Sequence, residues 1–320
     1  MQLEAVTVII RSVGERTEAL CKQLIADQGV SENAIFVVNE APFSQAMKVG
    51  FEIALAEERP WTHCVDADVL LRKGSIANML AHAERQPDNI CEIQGFVLDK
   101  FFGGARKGGV HLYRTALLDK AIRLIPPEGE DIRPETHTLN AMQAKGHPWR
   151  TVRELVGLHD FEQRNEDIFR KCFVHAHKNL NYAQIFLPWW LSQSLHDADY
   201  KVAVAGFAEG LKNFDNVRID IRQSCFQGAV KNFELDTKGN IVPSEWSLAT
   251  IDRKIEEWIE PVEYVDLLGD VMAGCESAFL KQLFRQYLWY KRRSSAKTAV
   301  QLWLSWLLKS ASMRLRKSRL

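Results

Sequence analysis

Apolar and polar positions alternate in blocks along the first 85 residues, and these blocks predict strands that alternate with helices. Short β-branched runs, typical of buried parallel strands, occur at 4–10, at 34–38 and just before Asp66. The segments with helical spacing of apolar residues lie at 17–25, 43–58 and 75–85. Three strand–helix units in a row predict a parallel sheet with crossover helices.

Polar segments follow each predicted strand, at 11–16, 39–40 and 66–68. Because they follow the carboxyl ends of parallel strands, we expect all three at one edge of the sheet, where such folds bind ligands. Thr17 is expected to act as the N-cap of the first helix. The pattern therefore predicts a nucleotide site at this edge.

The candidate chemistry begins with Asp66-Ala67-Asp68 at the end of the third strand. Residues i and i+2 of a strand point to the same side, so the two carboxylates are expected to converge on one ligand. A divalent cation is the usual way to offset the repulsion between carboxylates this close. The pair predicts a site for a hard metal ion and for the diphosphate that accompanies it. The competing interpretation is that both acids belong to a turn or a helix cap.

The first 85 residues resemble the nucleotide-binding half of a GT-A fold glycosyltransferase, most closely glycosyltransferase family 2. The segments Val6–Ile10 and Val65–Asp68 match the family pattern in type, order and spacing. The resemblance implies an α/β fold of the GT-A type, a Rossmann-like mixed sheet flanked by helices, with a mostly helical C-terminal extension. Lys48 replaces the usual Asn of the family, and Asn39 stands where the family often has an Asp that reads the base.

The resemblance also implies ligands and a donor, a nucleotide-diphosphate sugar bound with Mn²⁺ or Mg²⁺. The metal would be held by Asp66, Asp68 and a downstream His, for which His159 competes with His175 and His177. The residues expected around the nucleotide and its phosphates are Arg11, Ser12, Gly14, Arg16, Asn39, Lys48 and Asp66.

A second acidic segment, Gly129-Glu130-Asp131 through Glu135, precedes a predicted helix that ends near Gly146. It resembles the acid pair whose Asp serves as general base in inverting family members. Asp131 corresponds to the Asp of that pair if the adjacent acids Glu130 and Asp131 are aligned with it. Glu135 corresponds better if the distance to Gly146 is used. At least one of these acids is expected to cap the helix. The glycine pairs at 103–104 and 108–109 indicate either a hairpin or a wall of the pocket.

Charge is distributed unevenly although the chain of 320 residues has no formal net charge. Residues 281–320 hold eleven Lys or Arg and no acid, which leaves 30 basic against 41 acidic residues over 1–280. Trp and Tyr beside these cations suit the headgroup zone of an anionic membrane surface. The alternative is a basic helix packed on an acidic body, and nucleic acid is not an expected partner because the charge is confined to a terminal strip.

Three regions are therefore expected: a GT-A core at 1–180, a mostly helical extension on the acceptor side at 181–280, and a membrane-surface tail at 281–320. Six scattered cysteines and no apolar leader predict a cytoplasmic protein, peripheral on the inner face of the membrane. The leading functional prediction is a metal-dependent glycosyltransferase, inverting by analogy, that acts on a glycan or lipid-linked acceptor in surface polysaccharide or lipopolysaccharide synthesis. The alternatives are a phosphatase of the haloacid dehalogenase type and a non-catalytic interaction protein that keeps the fold.

Overall fold

The structure is a computed structural model that describes residues 3–179, 183–212 and 238–258, together with positions 300, 301 and 304. The chain divides into two compact units, one of Met1–Phe186 with Trp190–Ile259 and one of Leu187–Trp189 with Glu260–Leu320. The predicted tail at 281–320 lies outside the described residues apart from those three positions.

Eight strands and nine helices occur in the described part of the chain. The strands are β1 (Val6–Arg11), β2 (Ile35–Val38), β3 (Trp61–Asp66), β4 (Val69–Leu71), β5 (Glu92–Asp99), β6 (Gly104–Arg106), β7 (Val110–Arg114) and β8 (Trp149–His159). The helices are α1 (Glu18–Ala26), α2 (Phe43–Glu57), α3 (Ser75–Glu84), α4 (Leu118–Ile122), α5 (Pro134–Ala144), α6 (Asn165–Lys178), α7 (Ala183–Gln193), α8 (Ala198–Lys212) and α9 (Leu248–Trp258).

The strands form one mixed sheet in the order β2-β1-β3-β7-β5-β8-β4, and β6 pairs with β5. The first three strands along the chain, β1, β2 and β3, are parallel, as their alternation with helices predicted. β7 then runs antiparallel to β3, and β8 runs parallel to β5. The predicted α/β class, a mixed sheet flanked by helices as in the GT-A type, is confirmed.

Both faces of the sheet are covered, which explains why four of the six residues of β1 are apolar. In β1, Val8 and Ile10 pack into a cluster that includes apolar residues of α1 and α3. Ile9 points to the opposite face and packs into a second cluster with residues of α2, α4 and α5. All six residues of β1 are buried. Because two helical layers enclose it, polar groups are expected to gather at the strand ends.

Three local expectations differ from the structure. Thr17 does not cap α1, because its backbone is helical rather than extended, and its hydroxyl donates to the Ala67 carbonyl at 2.7 Å instead. Arg11 is the last residue of β1 rather than part of the loop. The helix predicted to follow the second acidic segment begins at Pro134 and so includes Glu135, because the fixed φ of proline favours the first helical turn.

Helix α6 is held against α8 by two glycines one turn apart, Gly206 and Gly210. A Cβ at Gly210 would lie 2.5 Å from the Phe173 carbonyl oxygen, and a Cβ at Gly206 would meet the Phe169 carbonyl oxygen. Only glycine allows the two backbones to approach this closely. The position of α6 therefore depends on the small residues of α8.

The helical extension predicted at 181–280 is described over α7, α8 and α9, while 213–237 and 259–280 lie outside the described residues. Four cysteines of the described part are buried free thiols. None of the helices in that part combines the length and the apolar character that crossing a bilayer requires.

We expect Gly206→Ala to lower the free energy of unfolding by about 1–3 kcal/mol, because the added methyl group would force α6 and α8 apart. In an unconstrained helix the same change would stabilise by roughly 0.5–1 kcal/mol, so the sign of the effect is diagnostic. Urea unfolding followed by tryptophan fluorescence measures it. Gly239→Ala is the control, because its Cβ meets no described atom within 4 Å. Equal stabilities of the two variants would contradict this packing.

Candidate active site

The carboxyl ends of β1 and β3 lie side by side, and Arg11 is in register with Asp66. The backbone here is fixed by hydrogen bonds on both sides. The Ala67 amide donates to the Arg11 carbonyl at 2.9 Å, and the Asp66 amide donates to the Gly109 carbonyl at 2.8 Å. Gly109, with φ +70°, is close enough to Asp66 and His159 that a Cβ would touch both side chains. The glycine segment thus forms one wall of the site.

Arg11 connects the Asp-x-Asp strand to the second acidic segment. Its Nε donates to Asp66 Oδ1 at 2.8 Å, and its Nη1 donates to Glu135 Oε1 at 2.7 Å. The guanidinium is buried and lies 4.9 Å from the centre of the Phe43 ring. Burial alone would lower the pKa of Arg11, but Asp66 and Glu135 raise it, so the group is a permanent cation.

Glu135 is the centre of a largely buried polar network. Besides Arg11, the Tyr113 hydroxyl donates to Glu135 Oε1 at 2.8 Å, and His111 Nε2 lies 2.8 Å from Oε2. Burial alone would raise the pKa of Glu135, but Arg11 and His111 outweigh it and hold the pKa well below its ordinary value. Its side chain is only 13% exposed. This carboxylate therefore stays charged and fully engaged.

His111 connects two buried carboxylates. Its Nδ1 lies 3.0 Å from Glu92 Oε1, while its Nε2 contacts Glu135. Burial lowers the pKa of His111, but the two acids raise it more, to about 9. The imidazolium therefore supplies a positive charge inside the sheet at neutral pH.

Asp68 occupies a second cluster, separate from the contacts of Asp66. Lys171 of α6 donates to Asp68 Oδ2, and His159 Nε2 lies 3.4 Å from Asp68 Oδ1. Burial would raise the pKa of Asp68, but Lys171 and His159 hold it well below its ordinary value. The two carboxylates of the motif thus have different cations as partners.

The register of the sheet brings His159 to Asp68. His159 ends β8 opposite Val69 of β4, and the Asp160 amide extends this ladder by donating to the Asp68 carbonyl at 3.3 Å. On the other side β8 pairs with β5, which places Asp99 beside His159 with 2.7 Å between Oδ2 and Nδ1. Burial lowers the pKa of His159, but Asp160 and Asp68 raise it well above its ordinary value.

Three buried side chains, Asp68, His159 and Asp160, offer ligand atoms that all lie within 4.8 Å of one another. Asp68 Oδ1 and Asp160 Oδ2 are buried and accept no well-aligned hydrogen bond from the described residues, while nitrogens of His159 lie 3.4 Å and 3.1 Å from them. Two carboxylates and an imidazole suit Mn²⁺, and the carboxylate oxygens also suit Mg²⁺. The donor set therefore fits a divalent cation. Asp66, 30% exposed and bound by Arg11, lies outside this group.

The other predicted donor-site residues fall into two places. The loop after β1 is tied to itself and to the start of α6: the Gly14 amide donates to Ser12 Oγ at 3.0 Å, and Arg164 donates to the Gly14 carbonyl at 2.7 Å. Arg16 lies 3.9 Å from Glu162. Asn39 is exposed after β2, and the half-exposed Lys48 pairs with Glu52 on α2 at 3.8 Å, so neither joins the Arg11 or Asp68 clusters.

Asp131 lies in the loop before α5 and is partly exposed. Its Oδ1 accepts a hydrogen bond from the Arg133 amide at 2.8 Å, which holds the turn into the helix. Its Oδ2 lies 3.2 Å from His137 Nδ1. Unlike Glu135, this carboxylate remains open to solvent.

Sequence reasoning missed several residues of the site. Asp160 directly follows His159, so the dipeptide itself was an available signal. Lys171 and Lys178 lie seven residues apart on α6, a spacing that places them on one face, but no local pattern marked that face as functional. Burial, followed by Arg133 and Arg106, lowers the pKa of Lys178 to about 7.

No protein-family model matches this chain, and no curated protein does. Among solved structures it is similar to a glycosyltransferase involved in glycosylation of the major capsid of PBCV-1 (14% identity, TM-score 0.34, 47% of this chain and 82% of that one). It is also similar to a mannosyltransferase from Pyrobaculum calidifontis in complex with GDP-Man and Mn²⁺ (12%, 0.34, 72% and 79%). A third is CMP:2-keto-3-deoxy-manno-octonic acid synthetase complexed with CTP (10%, 0.34, 48% and 92%).

Glycosyltransferases and nucleotidyltransferases are thus among the structures to which this chain is similar. All of these TM-scores lie below 0.5, so the interpretation of the site rests on its own residues.

The raised pKa of His111 predicts a pH dependence of stability. Its folded pKa of about 9 exceeds the unfolded value of roughly 6.5, so its contribution is fully present below pH 6.5 and is lost as pH rises through 9. We expect wild type to lose on the order of 3 kcal/mol over this window relative to His111→Gln.

Urea unfolding at pH 6, 7, 8 and 9 measures this difference. His196→Gln serves as the control. His196 is exposed and follows α7 in the sequence, so this variant should show the same dependence of stability on pH as wild type. If wild type and His111→Gln show the same slope, His111 does not carry the charge assigned to it.

Proposed function

We propose that this chain is a glycosyltransferase that uses a nucleotide-diphosphate sugar as its donor. The observation that carries the proposal is the buried group of Asp68, His159 and Asp160 at the strand ends, beside Asp66 and Arg11. Ligand sites of parallel α/β sheets lie at this edge. The two carboxylates and the imidazole suit the cation that accompanies a diphosphate.

We assign Mn²⁺ or Mg²⁺ to Asp68, His159 and Asp160, with Asp66 directed to the donor from the neighbouring strand end. When bound, the ion neutralises the diphosphate and stabilises the charge that develops on the leaving group. The chain's own residues then have separate roles. Arg11 fixes the Asp66 carboxylate, and the polar loop of Ser12, Gly14 and Arg16 borders the donor. Asn39 and Lys48 are kept as candidate contacts to the nucleoside.

We assign the general base to Asp131 rather than to Glu135. Glu135 accepts hydrogen bonds from Arg11 and Tyr113 and pairs with His111, and its lowered pKa makes it a weak base. Asp131 is partly exposed and can reach an acceptor hydroxyl without breaking an ion pair with a permanent cation. It would remove the hydroxyl proton as the oxygen attacks the sugar carbon and the nucleoside diphosphate leaves, which inverts that carbon.

Our proposals for the acceptor and the cellular location rest on the sequence alone. We propose a hydroxyl of a glycan or lipid-linked acceptor in surface polysaccharide or lipopolysaccharide synthesis. The basic aromatic segment at 281–320 would bind the anionic inner face of the cytoplasmic membrane. A phosphatase or a non-catalytic protein is not favoured by any observation on the described residues.

The donor site is tested by calorimetric titration of UDP, GDP, CMP and TDP, with and without Mn²⁺. We expect one diphosphate to bind in a metal-dependent way, and Asp68→Ala to weaken that binding by about tenfold or more, since it removes a carboxylate ligand. Asp88→Ala is the matched control, because the Asp88 carboxylate is fully exposed. If no nucleotide binds to folded wild-type protein, the transferase proposal is wrong.

The base assignment is tested by the rate at which the donor identified above releases nucleoside diphosphate. We expect Asp131→Asn to lower kcat by roughly 10²- to 10⁴-fold while leaving donor affinity unchanged. Glu130→Gln, an exposed neighbour, should retain the wild-type rate. Glu135→Gln should instead lower the free energy of unfolding, by about 3–5 kcal/mol, because it leaves Arg11 and His111 with an uncharged partner. A normal kcat in Asp131→Asn would transfer the role elsewhere.

A further inference from the structure

The ammonium of Lys171 lies between two carboxylates of the proposed metal site. Its Nζ donates to Asp68 Oδ2 and to Asp160 Oδ1. The same two residues, with His159, form the group whose ligand atoms lie within 4.8 Å of one another. A lysine of the chain therefore occupies space that a divalent cation bound to Asp68 and Asp160 would share.

The charges of this cluster are close to balance without any added ion. Its carboxylates are Asp68, Asp99 and Asp160, and its permanent cations are Lys171 and Arg106, whose Nε lies 2.5 Å from Asp99 Oδ2. His159 also contacts all three carboxylates. Adding a divalent ion would bring two further positive charges beside an ammonium in a poorly solvated site. Like charges this close repel strongly at low dielectric, so the ammonium and the ion cannot both stay.

Lys171 is the residue of this cluster whose side chain is able to move away from the metal site. Asp68, His159 and Asp160 belong to the turn after β3 and to the end of β8, where ladder hydrogen bonds fix the backbone. Lys171 reaches them from α6 on four flexible methylene groups, and its side chain is 20% exposed against 10% for Asp68 and 0% for Asp160. Its withdrawal toward solvent requires rotamer changes and no change of backbone.

We propose that Lys171 is an internal cation that pairs with both carboxylates of the metal site and is exchanged for the divalent ion. The inference rests on the metal site of the proposed function and deepens it. In the metal-free protein the ammonium contacts Asp68 and Asp160 and holds them close together. Metal binding would break both contacts and release the ammonium. The apparent affinity of the site for metal is accordingly set by the strength of the lysine contacts.

The experiment compares Mn²⁺ binding to wild type, Lys171→Met and Lys171→Arg, measured by loss of the free Mn²⁺ electron paramagnetic resonance signal at fixed pH and ionic strength. Methionine keeps the length of the side chain and removes the charge. Arginine keeps the charge and pairs with carboxylates more strongly. Lys201→Met, an exposed lysine on α8, controls for the change in net charge.

We expect the dissociation constant for Mn²⁺ to fall about tenfold or more in Lys171→Met and to rise in Lys171→Arg, with Lys201→Met unchanged. If Lys171 only stabilised the fold, the dissociation constants of the variants for Mn²⁺ would not follow this order. Equal or weaker Mn²⁺ binding by Lys171→Met overturns the proposal. If Lys171→Met does not fold, the arginine variant decides: weaker binding than wild type supports exchange, and unchanged binding overturns it.

Thermal unfolding gives a readout that does not depend on catalysis. Without metal, Lys171→Met is expected to melt below wild type, because two buried carboxylates then lose the ammonium that pairs with both of them. Mn²⁺ should raise its melting temperature more than that of wild type. Absence of Mn²⁺ binding in every variant overturns the exchange, whereas nucleotide binding without metal in the same preparations would leave the transferase proposal standing.

Discussion

Burial of carboxylates at the carboxyl edge of the sheet is the constraint on which the rest of the site depends. Two helical layers exclude water from the strands, so acids at their ends remain charged only if cations lie within contact distance. Arg11 forms ion pairs with Asp66 and Glu135, and Lys171 forms ion pairs with Asp68 and Asp160. Helix α6, and the glycines of α8 that hold it in place, are therefore part of the electrostatics of the site.

Much of the fold follows from short-range patterns. The β-branched runs at the strand positions and the helical spacing between them predicted the parallel β1, β2 and β3 and their order along the chain. Pairing that depends on chain reversal was not predictable in this way. The antiparallel β7 and the contact between β4 and β8 join residues distant in sequence, and only the assembled sheet brings them together.

The candidate site was predicted in part, for physical reasons that differ between residues. Asp68 and His159 could be predicted from the sequence, because a strand end marks Asp68 and a polar turn marks His159. Local alternation also suggested that Asp66 shares a ligand with Asp68, but the register with β1 pairs it with Arg11. Lys171 could not be predicted, because its partner Asp68 is 103 residues away in the sequence and its own helix shows only an ordinary amphipathic pattern.

The peptide units around Ala67 act as a partition between two electrostatic compartments. The amide of Ala67 is bound by the Arg11 carbonyl and its carbonyl by the Thr17 hydroxyl, so this stretch of backbone has little freedom to rotate. Asp66 and Asp68 consequently cannot exchange their partners with each other. Asp66 remains paired with Arg11, and Asp68 responds to cations on the side of α6. The two carboxylates of a single three-residue motif thus belong to different sides of the site, one on the side of β1 and the other on the side of α6.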